Sequence, residues 1–155
     1  MMSDSAILSR TAKQVGALPW RLNSDGELEV LLVTSRISRH LLIPKGWPVP
    51  GKNNRQSALQ EAFEEAGVRG RASKKPLGKF TYNKVDLDGS TPCEVSVFAL
   101  SEVEELDDWP ERDQRERRWY LVDAAAAVVF VPGLAAILSL LAVKDGDLVL
   151  RALSQ

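Results

Sequence analysis

Gly46 to Val68 reads GWPVPGKNNRQSALQEAFEEAGV, a punctuated loop that hands over to a helix carrying three glutamates. The loop begins at Pro44 and runs through Pro48, Pro50 and Gly51, a density of breakers that neither a helix nor a central strand tolerates. Asn53-Asn54 supplies N-cap chemistry, so a helix is predicted from about Arg55 to Ala66, with Gly67 as its C-terminal stop. Ala58, Leu59, Ala62, Phe63 and Ala66 recur at three- and four-residue spacings and form its core side. Glu61, Glu64 and Glu65 are offset from that side, and Glu61 neighbours both others along the helix. Like charges so placed repel, and they sit near the helix C-terminus, where the macrodipole disfavours anions. Two local rules broken at one place mark a candidate functional site. A hard divalent cation would relieve both, because Mg²⁺ is held by a few carboxylate oxygens together with waters and phosphate oxygens. The alternative is a plain solvated face, glutamate being a common surface helix former.

Outward from this segment the chain alternates strands with turns. Val15 to Leu22 reads as a strand, Asn23 to Gly26 as a turn, Glu27 to Ser35 as a second strand with a buried Leu-Leu-Val centre, and Leu41 to Ile43 as a short one. Beyond the helix, Gly78 to Val85 and Glu94 to Leu100 flank the turn Asp86 to Gly89, and Arg118 to Val122 is a further strand. Ala124 to Val143 is uncharged and long enough to span a bilayer, but Pro132-Gly133 divides it into an Asp123-capped AAAAVVF helix and a second helix, LAAILSLLAV. Each can bury one face, so the fold class is α/β, with a sheet between helices.

The 155 residues suit one domain, expected over residues 14–155 behind a loose polar segment, 1–13. One cysteine, Cys93, and one histidine, His40, exclude an internal disulfide and a Cys/His zinc cluster, and leave little for Ser-His-Asp or Cys-His catalysis. Twenty basic against 21 acidic residues give no global field of the kind that draws a protein onto a nucleic acid duplex or a membrane. With no secretory run at the start, a cytoplasmic protein is expected, as monomer or homodimer.

From Gly46 to Val68 the chain resembles the Nudix box, the family pattern G-x5-E-x7-R-E-U-x-E-E-x-G-U with U aliphatic. Gly46 matches its first glycine, Glu61 its helix glutamate, Glu64-Glu65 its glutamate pair and Gly67-Val68 its end. Lys52 and Gln60 stand where the family has a glutamate and an arginine, generally seen as a salt bridge bracing loop on helix. Their joint replacement removes that brace whole and turns Lys52 into a cation free to meet a phosphate. The stretches Val30 to Arg36 and Val97 to Val129 are similar to the diphosphoinositol polyphosphate and diadenosine polyphosphate phosphohydrolase branch.

The resemblance implies a Nudix fold, an α/β/α sandwich with a mixed sheet. It also implies Mg²⁺-dependent (or Mn²⁺-dependent) hydrolysis of a phosphoanhydride in a small phosphorylated substrate of those two types. On that reading Glu61 and Glu65 ligate metal, Glu64 is the general base and a further metal-side carboxylate, and Glu116 offers one more. Arg36, Arg115, Arg117, Lys52 and the Lys45-Gly46 main chain would meet substrate. An ADP-ribose or nucleoside diphosphate-sugar pyrophosphatase is the enzyme alternative, and a catalytically weak ligand-binding module of the same fold is the other. Trp47, Trp20 and Tyr82 are either base-stacking platforms or anchors.

Overall fold

Residues 11–143 and 145–155 are described by the structure, a computed structural model. Eight strands form one mixed sheet: β1 (Ala12–Leu22), β2 (Leu28–Thr34), β3 (Leu41–Leu42), β4 (Lys45–Gly46), β5 (Val68–Ala72), β6 (Gly78–Asp86), β7 (Gly89–Glu105) and β8 (Arg117–Leu121). The main path runs β3-β2-β1-β7-β5, with β8 beside β2, β4 beside β1 and β6 beside β7. Among the described residues only the β1–β7 pair is parallel. The helices are α1 (Asn54–Ala66), α2 (Val122–Val128), α3 (Pro132–Leu141) and α4 (Gly146–Ala152).

The continuous apolar centre of β2 has a direct cause. Val30 and Leu32 point into one core with Leu134, Leu138 and Leu141 of α3, while Leu31 and Val33 point into another with Ala58, Ala62 and Ala66 of α1. A strand covered on both faces needs no polar alternation. Helices thus cover both sides of the sheet, as expected.

Several boundaries differ from the sequence reading. Ala12 and Lys13 already belong to β1 rather than to a loose segment; residues 1–10 of that segment lie outside the described residues. The punctuated loop contains a strand after all, since Lys45-Gly46 pairs with Gly16 and Val15. Val122 opens α2 instead of closing β8, and Asp123 sits in the first turn of α2 without capping it. Pro132 occupies the start of α3, where its missing N–H costs nothing. Among the described residues no helix is long and apolar enough to cross a membrane.

Candidate functional site

The α1 N-terminus is built as its sequence demands. The Asn53 side chain accepts the Gln56 N–H at 2.8 Å while the Gln56 side chain accepts the Asn53 N–H at 2.9 Å, a reciprocal capping box. At the other end Gly67 adopts φ +62°, and a Cβ there would collide with the Trp109 indole. Arg117 covers the same end: its guanidinium donates to the carbonyls of Ala66 and Gly67 at 3.0 Å and of Leu106 at 2.8 Å, and stacks over Trp109. The carbonyls left over at a helix C-terminus are thereby satisfied, and Arg117 is a strut rather than a substrate ligand.

This framing fixes the register of the glutamates. Glu65 is buried, and Glu61 is partly buried beside it. Burial raises Glu65 to about 8, with Glu61 and Glu111 adding to the shift and Arg115 opposing it. Burial also raises Glu61 to about 7, reinforced by Glu64 and Glu111. Gly46 lies against the Glu61 carboxylate so closely that a Cβ would overlap it, which is why this position is glycine. Replacing Gly46 with alanine is therefore expected to displace Glu61 and lower activity about tenfold or more, a displacement of under an ångström being sufficient. Steady-state rates of Gly46→Ala against wild type check this.

The carboxylates open on a cavity of about 1060 Å³, shared with Arg36, Lys45, Trp47, Tyr82, Glu111 and Arg115. Arg115 is nearly buried, at 12% side-chain exposure, and is held at 3.5 Å from Glu65, 2.9 Å from Glu111 and 3.2 Å from the Thr34 carbonyl. The Glu111 N–H donates to the Glu64 carbonyl at 3.0 Å, so the 106–116 segment is pinned to the end of α1. Arg36 stands at the exposed rim and reaches Gln114 at 3.4 Å. Lys45 donates its main-chain N–H toward Glu65 at 3.4 Å, and burial holds its ammonium below the usual lysine range.

Among the described residues no three His, Cys, Asp or Glu side chains converge as a ready-made metal centre. Instead Glu61 and Glu65 lie together on the cavity wall, and Arg115 lies between Glu65 and Glu111. The donor chemistry nevertheless fits a hard divalent cation. Mg²⁺ needs only one or two carboxylates from the protein, and a pair whose ionisation is opposed by burial is the pair a cation would stabilise.

A model of the NUDIX domain matches residues 12–141 of this chain. The chain belongs to the Nudix family. Nudix hydrolase 12, mitochondrial, of Arabidopsis thaliana is 37% identical over 126 residues, which cover 71% of this chain and 62% of that protein. Diphosphoinositol polyphosphate phosphohydrolase 3-beta of Bos taurus is 34% identical over 109 residues, covering 68% of this chain and 63% of the relative. The matched part thus spans less than two thirds of the length of either protein. In three dimensions the chain is similar to the Ap4A hydrolase of C. elegans, with a TM-score of 0.59, 20% identity, and coverage of 83% of this chain and 94% of that one. That likeness places the α/β/α sandwich among Nudix folds.

Within this Nudix domain two replacements work differently from the sequence expectation. The Lys52 Nζ donates to Gln60 Oε1 at 2.9 Å, and Gln60 Nε2 donates to Glu64 Oε1 at 2.7 Å. A brace between loop and helix is therefore present with other chemistry, and Lys52 is not a free cation. It lies in a groove on the outer side of α1 with Leu59, Phe63 and Arg69, away from the acidic cavity. Glu116 is also elsewhere: its side chain is 79% exposed and pairs with Arg39 at 3.5 Å. The carboxylate that the late segment brings to the site is Glu111, which sequence reasoning missed. Its one signal is the four-residue spacing to Arg115, shared by other acids in the same mixed run. Of the aromatic residues, Trp20 is core, whereas Trp47 and Tyr82 line the cavity.

Proposed function

We propose that this Nudix domain hydrolyses a phosphoanhydride bond in a small polyphosphate-containing substrate, of the diphosphoinositol polyphosphate or diadenosine polyphosphate type, with Mg²⁺ or Mn²⁺. The observation that carries the reading is the Glu61–Glu65 pair, raised to about 7 and about 8, opening on a cavity that also holds Arg36, Lys45 and Arg115. When bound, the cation supplies charge neutralisation on the phosphates and a more acidic water. Glu61 and Glu65 would hold it, and Arg36 at the rim would draw the anionic chain inward. Glu64, fixed by Gln60, is the residue proposed to take the proton from the attacking water. A water oxygen–phosphorus bond forms, the bridging phosphorus–oxygen bond breaks, and the leaving phosphate carries away the bridging oxygen.

The test is a panel of diadenosine tetraphosphate, a diphosphoinositol phosphate, ADP-ribose and a nucleoside diphosphate sugar, with and without Mg²⁺. Turnover of one of the first two, reduced about 100-fold or more in Glu64→Gln, supports the reading and its base. Preference for ADP-ribose or the nucleoside diphosphate sugar moves the domain to the pyrophosphatase reading. Ligands that raise the melting temperature without any turnover make it a binding module.

A further inference from the structure

Away from the acidic cavity, β1, β5, β7 and the end of α4 converge on another hollow, of about 410 Å³. Gln14 of β1 lines the acidic cavity and Trp20 of the same strand lines this hollow, about 20 Å further along at the rise of an extended chain. Its floor is Trp20, 6% exposed, with Leu22 two residues on and on the same face of β1. Its wall carries Arg21, Arg71 and Arg151 against one carboxylate, Glu102. In a chain of net charge −1 this is a local excess of positive charge, and it continues along the sequence. Residues 66–85 contain six lysines and arginines and no aspartate or glutamate.

The fold places two of these guanidiniums together. Val68 and Ala72 of β5 pack on the α1 side, so alternation sends Arg71 to the opposite face, across from Ser101 of β7. Directly after Ser101 the pairing shifts: Glu102 and Val103 stand opposite Gly70 alone, and Glu102 takes a left-handed φ of +54°. A bulge of this kind bends the strand and re-aims side chains, and a non-glycine residue held left-handed is a cost that folds carry at functional places. The end of α4 is tied to β5 by the Leu153 carbonyl, which accepts from the Lys74 N–H at 3.0 Å and the Lys75 N–H at 3.3 Å. That tie sets the Arg151 guanidinium 5.2 Å from the centroid of the Trp20 ring.

The three cations differ in what they still offer. Arg21 is committed to Glu29 at 2.7 Å and to the Trp119 ring. Arg151 has only a long ion pair, with Asp147 at 3.6 Å, and stays 53% exposed. The Arg71 guanidinium has no acceptor among the described residues. A guanidinium is a planar fork that grips a phosphate with two parallel N–H bonds, and Ser101 and Ser154 add hydroxyl donors on the same wall. A bare anion would use that wall alone, whereas covering the Trp20–Leu22 floor takes a ligand with an apolar or ring-bearing body.

We infer that this hollow is a further binding site, for a small organic phosphate whose phosphate group is held by Arg71 and Arg151 and whose body lies on Trp20 and Leu22. The inference does not depend on what the acidic cavity hydrolyses.

The experiment is calorimetric titration of the full chain with AMP in EDTA, repeated with inorganic phosphate and with citrate at equal ionic strength. Removing divalent cations takes away the bridge by which the carboxylates of the acidic cavity could hold a phosphate. AMP is expected to bind at least about fivefold more tightly than either inorganic phosphate or citrate. Arg71→Met and Arg151→Met should each weaken AMP about tenfold or more, and Arg71→Lys, which keeps the charge and loses the fork, by less. Arg36→Met, at the rim of the acidic cavity, should leave the affinity unchanged. In two-dimensional NMR the main-chain amides of Ser101 and Ser154 should shift on titration, and those of Lys45 and Glu65 should not. AMP binding that is absent at millimolar concentration, or indifferent to Arg71→Met and Arg151→Met, overturns the inference. Shifts confined to Lys45 and Glu65 overturn it too, since the anion then occupies the acidic cavity. Inorganic phosphate or citrate binding as tightly as AMP also overturns it, because the apolar floor then contributes nothing. If no phosphoanhydride is turned over but AMP binds here as described, the hydrolase reading fails and this one stands.

Discussion

Glu65→Gln is expected to lower turnover by about 100-fold or more, equivalent to losing about 3 kcal/mol of transition-state stabilisation, while leaving the metal-free protein at least as stable as wild type. The two halves of this expectation have one cause. Glu65 is 7% exposed, and burial opposes its ionisation so strongly that it holds a proton up to about 8. A glutamine is close in shape to that protonated side chain and carries no ionisation penalty. Arg115 keeps Glu111 at 2.9 Å and the Thr34 carbonyl at 3.2 Å, so it is not left without a partner. What glutamine cannot do is bring a full negative charge to a divalent cation. A carboxylate kept where the fold disfavours it is the trade of stability for activity seen at functional sites. Rates with Mg²⁺ and thermal melts in EDTA measure the two halves separately. Retained activity, or a variant that melts several degrees lower, would remove Glu65 from the metal role.

The parts of the fold that are plain in the sequence are those where local chemistry and tertiary packing agree. The helix from Asn54 to Ala66 is one, because the Asn53 cap, the Gln56 return bond and the left-handed Gly67 all act within a turn of its ends. The β2 run is another, since burial on both faces leaves an uninterrupted apolar string. β5 is the opposite case. Its sequence, VRGRA, buries only Val68 and Ala72, and it becomes a strand because β7 continues to Glu105 and offers it an edge. Gly70 fits there because a side chain would strike the Ser101 carbonyl, a constraint visible only once the two strands are paired. The final helix, α4, begins at Gly146 and buries Leu150, which no short-range pattern announces.

The candidate site divides along similar lines. Glu61, Glu64 and Glu65 stand out from spacing alone; the helix sets Glu61 and Glu65 on the cavity, whereas the Glu64 side chain accepts from Gln60. The late segment does not submit to such reasoning. Glu111, Asp113 and Glu116 all lie within six residues among arginines, and composition cannot choose between them. The choice is made by backbone bonds: Glu111 N–H to the Glu64 carbonyl turns one acid inward, whereas Thr34, bonded to Glu116 through main chain and hydroxyl, leaves the Glu116 side chain outward. Lys52 is misread for a related reason. A cation beside a phosphate site suggests a phosphate ligand, but a glutamine one helical turn before Glu64 is close enough to take it first.

The second large effect is on stability, and it runs against the usual dependence of carboxylates on pH. An unfolded glutamate titrates near 4.5, whereas Glu61 and Glu65 in the fold titrate near about 7 and about 8. Between those values the folded chain binds more protons than the unfolded one, so raising pH favours unfolding. The stabilising protons are fully present below about 4.5 and are lost as pH rises through 7 to 8. Each proton difference is worth up to about 1.4 kcal/mol per pH unit, with Glu61 contributing less because it remains partly open to water. Melting temperature in EDTA should therefore fall between pH 6 and pH 8.5, and the fall should be shallower in Glu65→Gln. Mg²⁺ is expected to reverse the trend, because a cation held by the pair would bind its deprotonated form and would have to displace protons at lower pH. At a hundred times its dissociation constant it adds about 2.7 kcal/mol, about 5–10 °C for a domain of this size. That gain should be larger at pH 8.5 than at pH 6 and should vanish in Glu65→Gln. A Mg²⁺ effect equal at both pH values would mean that the cation binds somewhere other than between Glu61 and Glu65.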